Sequence, residues 1–394
     1  MTFGDQLREL RISRGLSLAA LARLAAYNKG YISNVERGIK PPNERFAQAV
    51  DQALGAGGLL VAAEHMDQAA KLDTQPWQTA ELIDRIQATD TSPSTLEALQ
   101  ATVSELCCQY PYRNAAQLRA EAQGWLQHVG RIVRKPVGLR EHTELLVSAG
   151  WLALLVGCLE YDLGMRTAAE TTRRAARSIG DEAGNSEIVG WSWEMAAWYA
   201  LTQGRYQDVI TAAEAGRAAD RSHSVHVQLI AQQAKAQARI GNPNLVRSLD
   251  LGREILDRLP QPERTDHHFV VDPAKWDFYA MDAFRIAGED DLAEQHAREV
   301  LADGCRPDGT ERSPMRMAEA RITLGTVAAR AGDLDRAAAL GVAALGTERV
   351  SLPSLVLVAS ELDGALQQRF PAEPATDEFR DLLRGVRAAP AATA

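Results

Sequence analysis

The sequence predicts an all-α protein, a short N-terminal helical bundle followed by a long array of helical hairpins, and three observations predict it. Apolar side chains recur every three or four positions from residue 3 onward, and no segment keeps the strict alternation of a half-buried strand. Glycines placed to close helices return at Gly164, Gly204, Gly241, Gly288 and Gly332, spaced by 40, 37, 47 and 44 residues. A length of 394 residues also exceeds what one hydrophobic core sustains, so at least two packing units are expected. With 46% hydrophobic and 24% charged residues, the chain has the composition of a folded protein and not of a disordered one.

In the first unit Phe3, Leu7 and Leu10, extended by Ile12, define a helix that Arg14-Gly15 ends. Ser17 is a good N-cap for a second helix, Leu18 to Ala25, with Leu18, Leu21, Ala22 and Leu24 as its apolar face. After a turn at Ala26, Tyr27 and Asn28, a third helix runs from about Lys29 to Arg37, with Ile32 and Val35 facing inward and Gly38 closing it. A fourth follows Pro41-Pro42-Asn43 and uses Phe46, Val50 and Leu54.

The run SLAALARLAAYNKGYISNVERGIKPP resembles the helix-turn-helix of the phage-repressor or XRE family. The resemblance rests on Ile32, Val35, Glu36, Gly38 and Pro41 and covers residues 1 to about 56. Ala26 departs from it, standing where the family usually has glycine. What the resemblance implies is a transcriptional regulator whose third helix enters the major groove of double-stranded DNA. It places Lys29, Gly30 and Asn34 at base-facing positions. Gly30 has no side chain, so base reading would rest on Lys29 and Asn34, with Tyr31 or Ser33. Tyr31 could instead cover the edge of the core. Asn28, Arg37 and Lys40 are then the expected phosphate anchors, and Arg11 with Glu36 matches a structural ion pair of the family.

Charge agrees with that division of labour. Residues 1–60 hold eight Lys or Arg against five Asp or Glu, whereas the rest holds 35 against 47. Only the basic head suits a phosphate backbone. Arginine outnumbers lysine 37 to 6, as GC-rich, bacterial coding sequence would produce.

Gly55-Ala56-Gly57-Gly58 is expected to end the head at residue 58 as a hinge, because no strand precedes it and no Gly-Lys-Ser follows to make it a phosphate loop. Residues 59–76 read as a linker helix, residues 77–385 as the hairpin array and residues 386–394 as a disordered tail. Each recurring glycine closes one helix, and a second alanine-rich helix follows. The segment LGTVAARAGDLDRAAALGVAAL, through Leu324, Gly325, Gly332, Leu334, Ala337 and Ala344, resembles tetratricopeptide repeats. The resemblance implies a solenoid whose concave face is lined by the first helix of each hairpin. Ten residues fall there: Trp191, Glu194, Trp198, Gln228, Lys235, Arg239, Phe278, Asp282, Arg285 and Glu319. Their mix of charges, amides and rings suits a peptide or a polar small molecule better than a lipid, although Trp191, Trp193 and Trp198 could equally pack hairpins together.

Other chemistry is weakly represented. Cys107, Cys108, Cys158 and Cys305 lack zinc or disulfide spacing, and the adjacent pair reads as buried apolar residues before it reads as a redox sensor. His223 with His226, and His267 with His268, lack a completing ligand for a metal and are expected to face solvent. No nucleophile elbow, Walker loop or dinucleotide fingerprint is present, so neither catalysis nor a cofactor is expected. No stretch reaches the roughly 18 uninterrupted apolar residues of a membrane helix, and the N-terminus is amphipathic from Phe3, so a cytoplasmic protein without a membrane partner is expected. The combined expectation is a homodimeric, effector-responsive regulator, similar in layout to the quorum-sensing, peptide-binding regulators of the Rgg and PlcR kind. The alternative is a DNA-tethered adaptor whose repeats grip another protein.

Overall fold

The computed structural model describes residues 2–65, 93–135, 137–306 and 309–388. The chain divides into two units, Met1–Ile86 and Gln87–Ala394. Apart from an isolated bridge between Cys305 and Glu311, regular structure among the described residues is helical.

The first unit contains α1 (Phe3–Ser13), α2 (Leu18–Leu24), α3 (Lys29–Glu36) and α4 (Glu44–Leu54). Each begins on a side-chain cap that satisfies an otherwise orphaned backbone N–H: Thr2 accepts from Asp5 N, Ser17 from Ala20 N, Asn28 from Gly30 N and Asn43 from Phe46 N. Phe3, Leu7, Leu21, Ile32, Val35, Phe46, Val50 and Leu54 meet in one core. Gly4 lets α1 approach α3, because a Cβ there would stand 2.5 Å from the Val35 carbonyl oxygen. Two expected core residues point outward instead: Leu24 is 60% exposed and Ile12 57%. In α2 the buried stripe steps from Leu21 by four residues to Ala25, which puts Leu24 off the stripe.

The boundary expected at residue 58 falls inside this unit. Residues 59–65 are helical, and Leu60 and Ala63 are buried in the core of α1–α4. The glycine segment before them is a braced turn and not a slack hinge. Gly55 closes α4 in the left-handed region, and the Asp51 carboxylate accepts the N–H of Gly58 at 2.8 Å and of Leu60 at 2.9 Å. The remainder of the expected linker helix, residues 66–76, lies outside the described residues.

The second unit begins with α5 (Pro93–Gln109) and α6 (Ala115–Val133). Consecutive pairs follow: α7 (Leu139–Asp162) with α8 (Arg166–Glu182), α9 (Ser186–Thr202) with α10 (Tyr206–Ala219), and α11 (Val225–Arg239) with α12 (Leu245–Arg258). Then come α13 (Pro273–Ala287) with α14 (Asp290–Gly304), α15 (Pro314–Ala331) with α16 (Leu334–Leu345), and α17 (Leu352–Arg369) with α18 (Pro374–Ala388). The five recurring glycines all adopt positive φ and sit where the first helix of a pair turns into the second, a conformation that costs glycine little. Helix α18 runs through Ala388, past residue 386, the expected start of the tail, and residues 389–394 lie outside the described set.

First and second helices differ as their sequences require. In α8 the buried residues are Ala169, Arg173, Ala176 and Gly180, a single stripe, whereas α11 is buried at nearly every position from Val225 to Gln237. The first helices therefore form an inner layer, each packed on the next. Helix α7 is long and apolar enough to cross a membrane by length and composition, and 67% of its most apolar window is buried inside the array. The last inner helix, α17, packs on α15 and also reaches α9 and α7. The array curls until its last pair meets its first.

Candidate functional site

The exposed face of α3 carries the residues expected to meet DNA. Asn28, Lys29, Gly30, Arg37 and Lys40 are exposed, Ser33 and Asn34 are half-buried, and Ile32 and Val35 anchor the opposite face. Asn28 has two tasks. Its Oδ1 accepts from Gly30 N at 2.7 Å, which leaves its Nδ2 donors for a phosphate. Arg37 donates to the Ser33 carbonyl at 3.2 Å and to Asn34 Oδ1 at 2.7 Å. Asn34 thus offers its amide donors outward while its oxygen is held. The Tyr31 ring is half-buried, 5.0 Å from Phe46 in an edge contact, with the Lys40 ammonium 5.5 Å above it. It covers the core edge. Behind this face Arg11 makes a bidentate ion pair to Glu36, Nε to Oε1 at 2.6 Å and Nη2 to Oε2 at 2.8 Å, and its Nη1 donates to the Leu16 carbonyl at 3.0 Å. The pair ties α1, the loop before α2 and the end of α3 together.

In the second unit the structure gathers Glu194, Trp198, Gln228, Lys235, Phe278, Asp282 and Glu319 around one cavity of about 100 Å³. The other three of the ten expected residues do not line it. Trp191 packs edge-on against Phe269 at 5.3 Å, with the Lys275 ammonium 5.2 Å from its ring. Arg239 and Arg285 form the wall behind Asp282. Arg239 donates to both Asp282 oxygens, at 2.8 and 3.0 Å, and to Glu361 at 3.0 Å. Arg285, fully buried, reaches Asp282 and Glu361 through Nη2. Burial opposes the charge on Asp282, but Arg239, Lys235 and Arg285 outweigh it and hold its carboxyl well below the ordinary range. These arginines are structural partners of a cavity residue.

The periodic pattern missed Gln232, Lys275, Tyr279, Arg316 and Ser354, all of which line the cavity. Gln232 and Arg316 could have been found, since they lie about one turn from Gln228 and Glu319 on the same helices. Ser354 could not, because it arrives only through the curl of α17 onto α9. Lys275 donates to the carbonyls of His268 at 2.6 Å and Val270 at 2.9 Å, and burial lowers its ammonium to about 7.

Cys107, Cys108 and Cys158 are buried and Cys305 is exposed, all as free thiols. Burial pushes the Cys108 thiol up to about 12, far from a reactive thiolate. His223 faces solvent as expected, while bonded to Asp220 at 2.7 Å. His267 and His268 depart from that expectation: beside buried Phe269 both are half-buried, His268 stacked 3.7 Å from Tyr110 and His267 against Trp151.

A family model described as a helix-turn-helix domain matches residues 2–63. Its end at residue 63 agrees with the burial of Leu60 and Ala63 in the head's core. No curated protein matches the chain. The chain is thus a helix-turn-helix domain followed by a large region of helical pairs.

Proposed function

We propose that this protein is a sequence-specific, DNA-binding transcriptional regulator whose helical array, a degenerate tetratricopeptide-like solenoid, senses a ligand. One observation carries the first half: a helix-turn-helix domain over residues 2–63 presents α3 with Lys29, Asn34 and Arg37 on its free face. We further propose that it acts in the cytoplasm as a homodimer, an arrangement in which such heads occupy half-sites about 34 Å apart. The partly open cavity, with charged and amide groups in a largely apolar wall, supports the sensing half. An adaptor would need an open groove for a protein, and the curl of α17 onto α7 and α9 narrows the inner face instead.

The test is recovery of bound genomic DNA with the full chain, followed by titration of the best site and of random duplex over a range of salt. A regulator prefers its site by at least about 10³-fold, and affinity falls steeply with salt as counterions are released. Equal, salt-insensitive affinity for every duplex would overturn the reading.

A further inference from the structure

The central cavity contains more polar chemistry than its own wall uses. Gln228 and Gln232, one turn apart on α11, both donate their side-chain N–H to a single oxygen, Glu194 Oε1, at 2.7 Å each. The amide oxygens of both glutamines are left buried without a donor, in side chains only 4% and 3% exposed. A buried carbonyl oxygen in that position is costly until an N–H or O–H reaches it. On α15 Glu319 is buried and its carboxylate accepts no hydrogen bond among the described residues.

One cation is equally under-used. Arg316, one turn before Glu319, lines the same cavity and has no hydrogen-bond or ion-pair partner among the described residues. The Lys235 ammonium rests 5.2 Å from the Phe278 ring and 5.3 Å from the Tyr279 ring. Its nearest carboxylate, Asp282 at 3.7 Å, is already held by two arginines. The wall therefore offers acceptors that lack a donor, one cation, Arg316, that lacks an anion, and a second, Lys235, whose anion is shared with two arginines. A neutral polyol would serve the acceptors and leave Arg316 unpaired, whereas one molecule with both charges serves both. Size restricts it further. A cavity on the order of 150 Å³ takes a benzene-sized guest of about six non-hydrogen atoms, so about 100 Å³ admits roughly four or five, the size of the smallest amino acids, and no extended peptide.

We propose that this cavity binds a small zwitterion of amino-acid size, its carboxylate taken by Arg316 and Lys235 and its ammonium by the Gln228 and Gln232 oxygens and Glu319. The proposal rests on the reading of the array as a sensor and specifies what it senses.

The test is calorimetric titration of the full chain, without DNA, with the common α-amino acids, the amines left by their decarboxylation, and their N-acetyl derivatives. At least one amino acid binds, and its amine and its N-acetyl form bind at least about tenfold more weakly, each having lost a charge-assisted contact. Arg316→Gln weakens the zwitterion by about tenfold or more and leaves the melting temperature of the free chain unchanged, because the wild-type arginine has no partner to lose. Glu319→Gln, which keeps shape and removes charge, weakens it as well. Absence of binding by every amino acid, equal binding of the amine or N-acetyl form, or wild-type affinity in Arg316→Gln overturns the proposal. Operator affinity measured on the same preparation separates the two readings. A chain that binds its operator but no zwitterion loses this proposal alone, and one that binds a zwitterion but no DNA loses the regulator reading alone.

Discussion

The indole N–H of Trp198 donates to the Ser354 hydroxyl at 2.9 Å across 156 residues of sequence. The bond joins α9 to the first turn of α17. Nearby, Arg239 and Arg285 both reach Glu361 on α17, and Arg349 donates to Asp162 at 2.9 Å and to the Tyr110 carbonyl at 3.0 Å. Apolar packing has no direction of its own. These ties give the last pair a register on the inner layer.

Removing the tie should therefore loosen the curl. Ser354→Ala leaves the Trp198 N–H half-buried without an acceptor and should cost about 1 kcal/mol in urea denaturation. In a double-mutant cycle with Trp198→Phe, a coupling of about 0.5–1 kcal/mol is expected. Additive losses would show that the bond does not hold α17.

Ala26 occupies the left-handed region at φ 56°, the only non-glycine described residue to do so. An L-residue pays about 1–2 kcal/mol there, partly offset by its lower unfolded-state entropy. Ala26→Gly should raise head stability by about 0.5–1 kcal/mol, measured by chemical denaturation, without changing operator affinity.

Fold and recognition are separable on α3. Arg11→Met strips the buried Glu36 of its bidentate partner and should destabilise the head by about 3 kcal/mol. Lys29→Ala and Asn34→Ala should leave stability within about 0.5 kcal/mol and cost about 1–3 kcal/mol in operator binding, with relaxed base preference. Equal losses on operator and random DNA would show that neither residue reads bases. Arg37→Ala and Lys40→Ala should weaken all sequences alike and lower the salt slope by about 1 each.

Burial pushes the Glu319 carboxyl from an ordinary 4.5 up to about 7, with Asp282 adding to the shift and Lys235, Arg285 and Arg239 opposing it. The folded chain prefers this group protonated. Its contribution is complete below about pH 4.5 and is lost as pH rises through 7. Between pH 5 and 7.5 the unliganded wild type should lose about 2 kcal/mol of stability relative to Glu319→Gln. Parallel stability curves for the two would place Glu319 in an ordinary aqueous environment.

Local rules carry most of the head. Ser17, Asn43 and Gly38 mark helix ends by chemistry confined to a few residues, and the Arg11–Glu36 pair came with the resemblance. The turn glycines of the array are legible for the same reason, since a positive φ is a property of one residue. Leu24 shows where periodicity fails: in a helix of two turns, steps of three and four residues both fit until the partner helices select one. The cavity was legible from one side only. Residues of α9, α11, α13 and α15 shared a pattern, but the contribution of α17 depends on accumulated curvature over six hairpins, which no single window of sequence contains. His267 and His268 were misjudged because their half-burial depends on Trp151 and Tyr110, more than a hundred positions away.

The double grip of Asp51 on the backbone beyond α4 has a practical corollary for anyone dissecting the protein. A fragment truncated at the glycine-rich turn would forfeit the Leu60 and Ala63 side chains and strand a carboxylate whose two amide donors had been cut away. The shortest autonomous head therefore extends at least to residue 65, and grafts of this reader onto other scaffolds should be spliced downstream of it.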